Sequence, residues 1–382
     1  YAQIGHGGND TQGSTLLGDI FVNIDPGTAA PASAAGDLTL TGGTASNTYA
    51  QIGHGGADGT NITGGNVAVF TPGSATLTGG GGTGAYAQVG HGGTDNDGAK
   101  GAVDELIVVV TGSGLELNGS DAGTGSYAQV GHGGLGVDGD LSGAVLVNFD
   151  PINGVPIGGG GIAMNGGEAE DSYVQIGHGG IQSEGSTKSG ELILNATEAI
   201  SLNGGSGEDS YAQVGHGGIG SRSANTGDIN VTGASIGMNS GGVNSYTQIG
   251  HGGLDTRGDI DSDVTVSSTS GGIELKAGVS DHAYSLIGSG GAIAAGQFDG
   301  DISVSSAAGI DVLGGGEVGD GIAGVGNFAQ IGHSLQEAFW IEANPGVFFI
   351  DATDYSARDS NWIVIPGEGP TDPAGVYTGA SN

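Results

Sequence analysis

The aliphatic residues of this chain recur at every second position in short runs. One series of runs begins with GDIFVNI at residues 18–24, and another begins with DLTL at residues 37–40. The runs are four to seven residues long and end in Gly, Asn, Asp or Ser. Such alternation between turn residues predicts short β-strands that turn corners. No stretch of the chain predicts a helix.

A third run belongs to an eight-residue motif, YAQIGHGG at residues 1–8, which occurs in nine copies. The copies begin at Tyr1, Tyr49, Tyr86, Tyr127, Tyr173, Tyr211, Tyr246, Tyr284 and Phe328. They are 35 to 48 residues apart, and position 4 is always Ile or Val. This irregular period is typical of a repeat protein with loops of variable length.

The three runs of one repeat cannot bury an apolar face alone, so successive repeats must stack, with each strand parallel to its counterpart. We therefore predict an all-β fold, a right-handed parallel β-solenoid (β-helix) of about nine three-strand coils at residues 1–335. Corner loops such as residues 9–17 absorb the differences in length. Residues 336–366 are predicted to form aromatic-rich capping or assembly strands, and residues 367–382 a Pro/Gly-rich tail.

Charge and composition exclude several classes of function. The chain has 41 acidic and six basic residues, for a net charge of -35, which disfavours binding to nucleic acid or to an anionic membrane. It has no cysteine, and thus no disulfide and no thiolate chemistry. No apolar run is long enough for membrane insertion. The 87 glycines are interpreted as turn residues because the pattern around them is periodic.

The runs GDIFVNI, GDINVTG and GDISVSSAAGIDVLGGG resemble the G-x-I-x-V and I-x-L repeats of filamentous haemagglutinin-like proteins. These are secreted bacterial surface β-helices that act as adhesins or fibre shafts. The resemblance extends over residues 1–335 and implies an extracellular or bacterial cell-surface location. The YAQIGHGG block is not part of that family's general pattern.

Period two places Ala2, Ile4 and His6 towards the core, and Tyr1 and Gln3 on the other face of the strand. Stacked coils would then form columns of equivalent residues with about 4.8 Å between coils. The predicted structural ladders consist of Tyr1, Gln3, His6, Tyr49, Gln51, His54, Tyr86, Gln88, His91, Tyr127, Gln129, His132, Tyr173, Gln175, His178, Tyr211, Gln213, His216, Tyr246, Gln248, His251, Phe328, Gln330 and His333.

The histidine column has an alternative interpretation as a metal or proton-relay line, since imidazole binds metals and titrates near neutrality. We favour the structural ladder because no second type of ligand recurs beside the histidines. In the eighth copy Leu286 replaces the glutamine and Ser289 the histidine, so this coil is expected to be a weak point.

Several aspartates follow the double glycine of the motif and resemble calcium-binding turns, because carboxylates suit Ca²⁺. They are Asp10, Asp58, Asp95, Asp97 and Asp255. The regular nonapeptide pattern of calcium-binding β-rolls is missing. We favour ordinary Asx-turns, and calcium is the one candidate cofactor.

Catalysis requires a group of residues that breaks the repeat, and the six basic residues are scattered over loops in unrelated registers. We identify no catalytic residue.

The predicted function is structural or adhesive, as the shaft or self-assembling subunit of a bacterial surface filament or matrix fibre. Head-to-tail copies of the chain and host-cell or matrix glycans are the expected partners. The predicted assembly residues are Phe339, Trp340, Phe348, Phe349 and Trp362. The alternatives are a β-helix polysaccharide lyase or hydrolase and a calcium-dependent carbohydrate-binding module.

Overall fold

A computed structural model of the chain describes residues 1–25, 30–31, 36–315 and 326–334. Within these ranges all regular structure is β, and no helix occurs. Strands at equivalent positions pair in parallel from one repeat to the next, so that the chain winds into a β-solenoid. The predicted fold class is confirmed. The predicted assembly strands, with their five aromatic residues, and the tail lie outside the described residues.

Three parallel sheets form the body of the solenoid. The motif sheet has nine strands, Ala2–Ile4, Ala50–Ile52, Ala87–Val89, Ala128–Val130, Val174–Ile176, Ala212–Val214, Thr247–Ile249, Ser285–Ile287 and Ala329–Ile331. The second sheet has eight, Ile20–Val22, Val67–Thr71, Leu106–Thr111, Ala144–Val147, Leu192–Asn195, Ile229–Gly233, Val264–Ser268 and Ile302–Ser306. The third sheet also has eight, Leu38–Thr41, Ser74–Thr78, Gly114–Asn118, Gly161–Asn165, Ile200–Asn203, Ile236–Asn239, Ile273–Lys276 and Ile310–Leu313.

We number coils 1 to 9 by the motif copy with which each begins. Coils 1 to 8 have a strand in all three sheets, whereas the described part of coil 9 has only its motif strand. The described residues thus form eight complete coils, one fewer than predicted. Two antiparallel hairpins branch from the second sheet, Ile24–Asp25 with Ala30–Pro31 in coil 1, and Phe149–Asp150 with Val155–Pro156 in coil 4.

A fourth strand position, which we did not predict, lies between the motif strand and the second-sheet strand of each coil. Its strands are Gln12–Leu17, Thr60–Gly64, Leu141–Ser142, Glu184–Ser189, Arg222–Thr226, Ile260–Asp261 and Phe298–Asp299. Isolated bridges at Lys100 continue this column through coil 3. The assignment of residues 9–17 to a corner loop was therefore wrong for residues 12–17. Sequences such as QGSTLL lack apolar alternation, and pairing with the next coil makes them strands.

Pairing is in register, so that equivalent residues lie side by side: Ala2 pairs with Ala50 and Gln3 with Gln51. The main core runs along the inside of the three sheets. It receives positions 2 and 4 of the motif and alternate residues of the other two strands, such as Val109 and Leu117, which are fully buried. Alternation directs the intervening residues to the opposite face of each sheet.

Glycine occupies motif position 7 in coils 1 to 8, and the close approach of two neighbours explains it at Gly179. Gly179 has a φ of 107°, in the left-handed region. A Cβ atom there would lie 2.5 Å from the carbonyl oxygen of Gly217 in the next coil and 3.0 Å from Cε of Lys188 in the fourth strand. Backbone conformation and space therefore both exclude a side chain at this position.

The substitution Gly179→Ala is expected to lower the free energy of unfolding by about 2–4 kcal/mol, because it combines backbone strain with a clash against the next coil. Gly237→Ala is a matched control in the third-sheet strand Ile236–Asn239, where no atom lies within 4 Å of the added Cβ. It should be neutral or stabilise by about 0.5 kcal/mol, since alanine restricts the unfolded chain. Denaturant titration measures both, and similar losses would contradict the assignment.

Candidate functional site

The aromatic rings at motif position 1 form one continuous stack through all nine coils. Neighbouring ring centroids are 4.7 to 5.0 Å apart and the ring planes differ by 2 to 11°. Tyr1, at the end of the stack, is 66% exposed, whereas Tyr86 is fully buried. The rings lie on the face away from the main core, as predicted, but this face is covered.

The cover comes from the residue that follows the double glycine, which packs against the rings. Ala57, Ile181 and Leu254 are examples, and together with the tyrosines they form a second core. The ring also explains glycine at position 8, since a Cβ at Gly8 would lie 2.6 Å from the hydroxyl of Tyr1. Positions 1 and 8 of the motif are thus a packing pair within one coil.

The glutamines at motif position 3 join each coil to the next. In coils 1 to 7 the Nε2 group donates to the carbonyl oxygens at motif positions 5 and 7 of the following coil, at 2.9 to 3.3 Å. Some of the amide oxygens accept the hydroxyl of the next tyrosine, as Gln213 does from Tyr246 at 3.1 Å. Buried amides are stable here because both N–H groups are hydrogen-bonded.

Six of the eight histidines at motif position 6 are held through both ring nitrogens. In coils 1 to 6 the backbone N–H donates to Nδ1 of the next histidine at 2.8 to 3.0 Å. Six rings place Nε2 2.7 to 3.0 Å from the carbonyl that precedes the second-sheet strand of the coil before. Because Nδ1 accepts, the hydrogen is on Nε2 and the ring is neutral.

Burial keeps these rings neutral at physiological pH. It lowers the pKa of His91, His178 and His251 to about 4, and that of His132 and His216 also falls well below the usual value. Where both nitrogens are hydrogen-bonded, no lone pair is free for a metal and no proton can enter at Nδ1 without breaking a backbone hydrogen bond. This geometry supports a structural ladder over a metal or proton-relay line.

Acidification is expected to destabilise the solenoid between about pH 6.5 and pH 4. The unfolded chain protonates its histidines near pH 6.5, whereas buried rings with a pKa of about 4 do not, so stability is fully present above pH 6.5 and is lost as pH falls. Each of these three rings contributes up to about 3 kcal/mol to this loss.

The measurement is the denaturant midpoint at several pH values from 8 to 4. Among the described residues, four carboxyl groups oppose this trend. The pKa of Asp171 is raised to about 6 by burial and by Asp209, and burial also raises the pKa of Asp95, Asp209 and Glu191, so that their protonation favours the folded state. The six motif histidines with a lowered pKa outnumber them. A midpoint that stayed constant or rose on acidification would contradict the neutral ladder.

The five aspartates considered for calcium do not form one group. Asp10, Asp58, Asp95 and Asp255 share one register position, with Asp255 in coil 7 and the others in coils 1 to 3. All four have a φ of 50 to 57°, a conformation that Asp, Asn and Gly adopt in turns. The Asp97 carboxylate accepts the backbone N–H of Asp138. Among the described residues, no three His, Asp or Glu side chains are arranged to hold a metal ion.

Two of the basic residues are buried inside the fourth-strand column, a placement that sequence reasoning missed. Lys100 and Lys188 are both fully buried, and burial lowers the pKa of each to about 7. Lys100 Nζ donates to the carbonyl oxygens of Asn61, Asp97 and Gly98 at 2.7 to 2.8 Å.

The expectation of unrelated registers is wrong for four of the six basic residues. The backbones of Lys100 and Lys188 both pair with that of Leu141, from opposite sides, and Arg222 bridges to Arg257 in the next coil. Lys188 Nζ donates to the carbonyl oxygen of Ser183 at 3.0 Å and to the hydroxyl of Ser223 at 2.6 Å. The role of both lysines is in the packing of the solenoid.

In coil 8 the loss of glutamine is matched by a change in coil 9. Each hydroxyl of Tyr211, Tyr246 and Tyr284 donates to the glutamine one coil earlier. Coil 9 has Phe328, which lacks a hydroxyl, against the coil that has Leu286 in place of glutamine. The two replacements remove the donor and the acceptor of one hydrogen bond together. The copies of the motif show both replacements in the sequence, but only the pairing of coils 8 and 9 shows that they concern the same hydrogen bond.

The substitutions Leu286→Gln and Phe328→Tyr are therefore expected to be coupled. Either one alone introduces one member of the hydrogen-bonded pair found between coils 5 and 8, whereas the double variant introduces both donor and acceptor. The double variant should be more stable than the sum of the single effects by about 1 kcal/mol. A double-mutant cycle from denaturant titrations measures the coupling, and a zero or unfavourable value would show that the two positions are independent.

An acidic groove of about 890 Å³ runs along the outside of coils 3 to 8. Six carboxylates line it, together with Arg222, whose ion pair with Glu184 spans 3.9 Å and is largely exposed. Ile219, Leu254 and Ile293 are among its apolar residues. The carboxylates follow the repeat, since Asp138 pairs with Glu184 in the next coil. The groove is a concave feature of the described surface that the ladders do not fill.

No protein-family model, curated protein or solved structure matches this chain. In the described ranges, no helix has the length and hydropathy needed to span a membrane.

Proposed function

We propose that this protein is a structural or adhesive component of an extracellular filament or matrix fibre at a bacterial surface, serving as its shaft or self-assembling subunit. The observation that carries the proposal is the unbroken aromatic stack, whose spacing stays at 4.7 to 5.0 Å through nine coils. It is accompanied by glutamine and histidine hydrogen bonds that join successive coils. Bending the rod requires breaking several such contacts at once, which favours a stiff element.

The charge distribution supports a role outside cells or in another salt-rich setting. The motif columns in the interior are neutral, and most of the 41 acidic residues lie on loops and outward-facing positions. A rod spreads this repulsion along its length, and dissolved salt screens it. Rods of like charge also resist side-by-side association, so that growth along the axis is favoured.

Growth along the axis uses the unpaired edge of an end coil. In coil 1 the side chains of Tyr1 and Ile4 are 66% and 51% exposed, although their equivalents in coil 3 are fully buried. A further coil, from the same polypeptide or from another copy, would continue the ring stack and pair with strand Ala2–Ile4. The partner at this edge is therefore proposed to be another solenoid coil.

The polysaccharide lyase, hydrolase and carbohydrate-binding alternatives place function in a unique group of side chains. The acidic groove is the feature closest to such a group, but its carboxylates repeat from coil to coil and Arg222 is in an ion pair with Glu184. We therefore rank contact with host-cell or matrix glycans second to the structural role.

Electron microscopy of the purified 382-residue chain is expected to show filaments of constant width that lengthen with concentration. Ile4→Lys should abolish them, because the charge would be buried at the junction between coils. Val103→Lys is the matched control, since Val103 is 79% exposed and lies in a loop of coil 3. Discrete rods from the unaltered chain, or equal effects of both variants, would contradict axial assembly through this edge.

A further inference from the structure

Coil 8 interrupts the histidine ladder with a buried group that has no partner. Ser289 occupies motif position 6 and is fully buried. Its Oγ has no hydrogen-bond partner among the described residues. An unpaired buried hydroxyl lowers the stability of the folded state by about 1–3 kcal/mol, so a polar group bound beside it would be stabilising.

Because Ser289 replaces a histidine, two backbone groups near it lack the imidazole nitrogens that are their hydrogen-bond partners in other coils. In coils 2 to 7 the histidine nitrogen Nδ1 accepts the backbone N–H of the histidine one coil earlier. For coil 8 that donor is the N–H of His251, for which the described structure contains no hydrogen bond. The corresponding acceptor is the carbonyl of Ser262, which is in register with Gly227 and Gly300 and likewise accepts no hydrogen bond.

The neighbouring rings and side chains define the shape of this region. His251 and His333 stand in the coils before and after Ser289, and adjacent imidazoles elsewhere in the column stack at 4.6 to 5.0 Å. Two coil spacings therefore separate these two rings, the distance that one intervening ring fills. Phe298 and Ile302 approach the glycines on either side of Ser289 and provide apolar walls.

We propose that coil 8 contains an internal binding site for a neutral imidazole-type heterocycle, a planar ring with one acceptor nitrogen and one N–H. The acceptor nitrogen binds the N–H of His251, and the ring N–H donates to the carbonyl of Ser262. The faces stack on His251 and His333, and the Ser289 hydroxyl provides a further polar contact at the edge. A water molecule satisfies the same hydrogen bonds but does not replace the stacking.

The test measures unfolding midpoints of the full, tag-free chain in the presence of free imidazole at pH 8, where the probe is largely neutral. The midpoint is expected to rise with imidazole concentration, because a ligand that binds only the folded state stabilises it. 1-Methylimidazole, which has no N–H, should give a clearly smaller shift. Ser289→His should raise the midpoint without any probe and abolish the response to imidazole.

Ser289→Ala is the control that keeps the space and removes only the hydroxyl, so its response to imidazole should be retained. Equal imidazole shifts in the unaltered chain and in Ser289→His would overturn the proposal, because the probe would then be binding elsewhere. Absence of any shift in the unaltered chain would also overturn it. In that case a lower midpoint for Ser289→His identifies a site filled by neighbouring side chains, and a higher one identifies a site that takes water alone.

Discussion

Each residue of the motif must be compatible with a copy of itself one coil away. Parallel, in-register pairing sets this distance, and the ring stacks show it as 4.6 to 5.0 Å. Like charges at such spacing repel strongly when they are shielded from water. Aromatic rings, amides and neutral imidazoles instead gain from the repetition, and they are the groups that fill the motif columns. The buried lysines obey the same constraint, because Leu141 separates Lys100 from Lys188.

The motif is a set of groups that bind one another. The ring at position 1 packs on glycine 8, and the amide at position 3 binds the carbonyls of positions 5 and 7 in the next coil. The imidazole at position 6 joins two backbone groups from the preceding coil. Recurrence of the motif within the chain is therefore explained by packing.

Coil 8 shows two ways in which such a ladder accommodates a replacement. The loss of the glutamine is compensated one coil later. Leu286 has no oxygen to accept a hydrogen bond, and Phe328 has no hydroxyl to donate one. The loss of the histidine is not compensated, because its partners are backbone groups of His251 and Ser262 that no substitution removes. Two side chains that bind each other can thus be replaced together. When a side chain that binds backbone groups is replaced, those backbone groups remain without a partner.

The sequence by itself determined the features that depend on recurrence and parity. Alternating aliphatic residues and nine copies of one octet specified parallel strands, their register, the inward direction of motif position 4, as at Ile52, and the column of rings beginning at Tyr1. Only the tertiary structure decided what lies against each column. The cover over the tyrosines by residues such as Ile181, the fourth strand, the buried lysines and the turn conformation of Asp95 all arise this way. These features depend on contacts between different positions of the repeat, where side chains vary from coil to coil and periodicity carries no information about which surfaces meet.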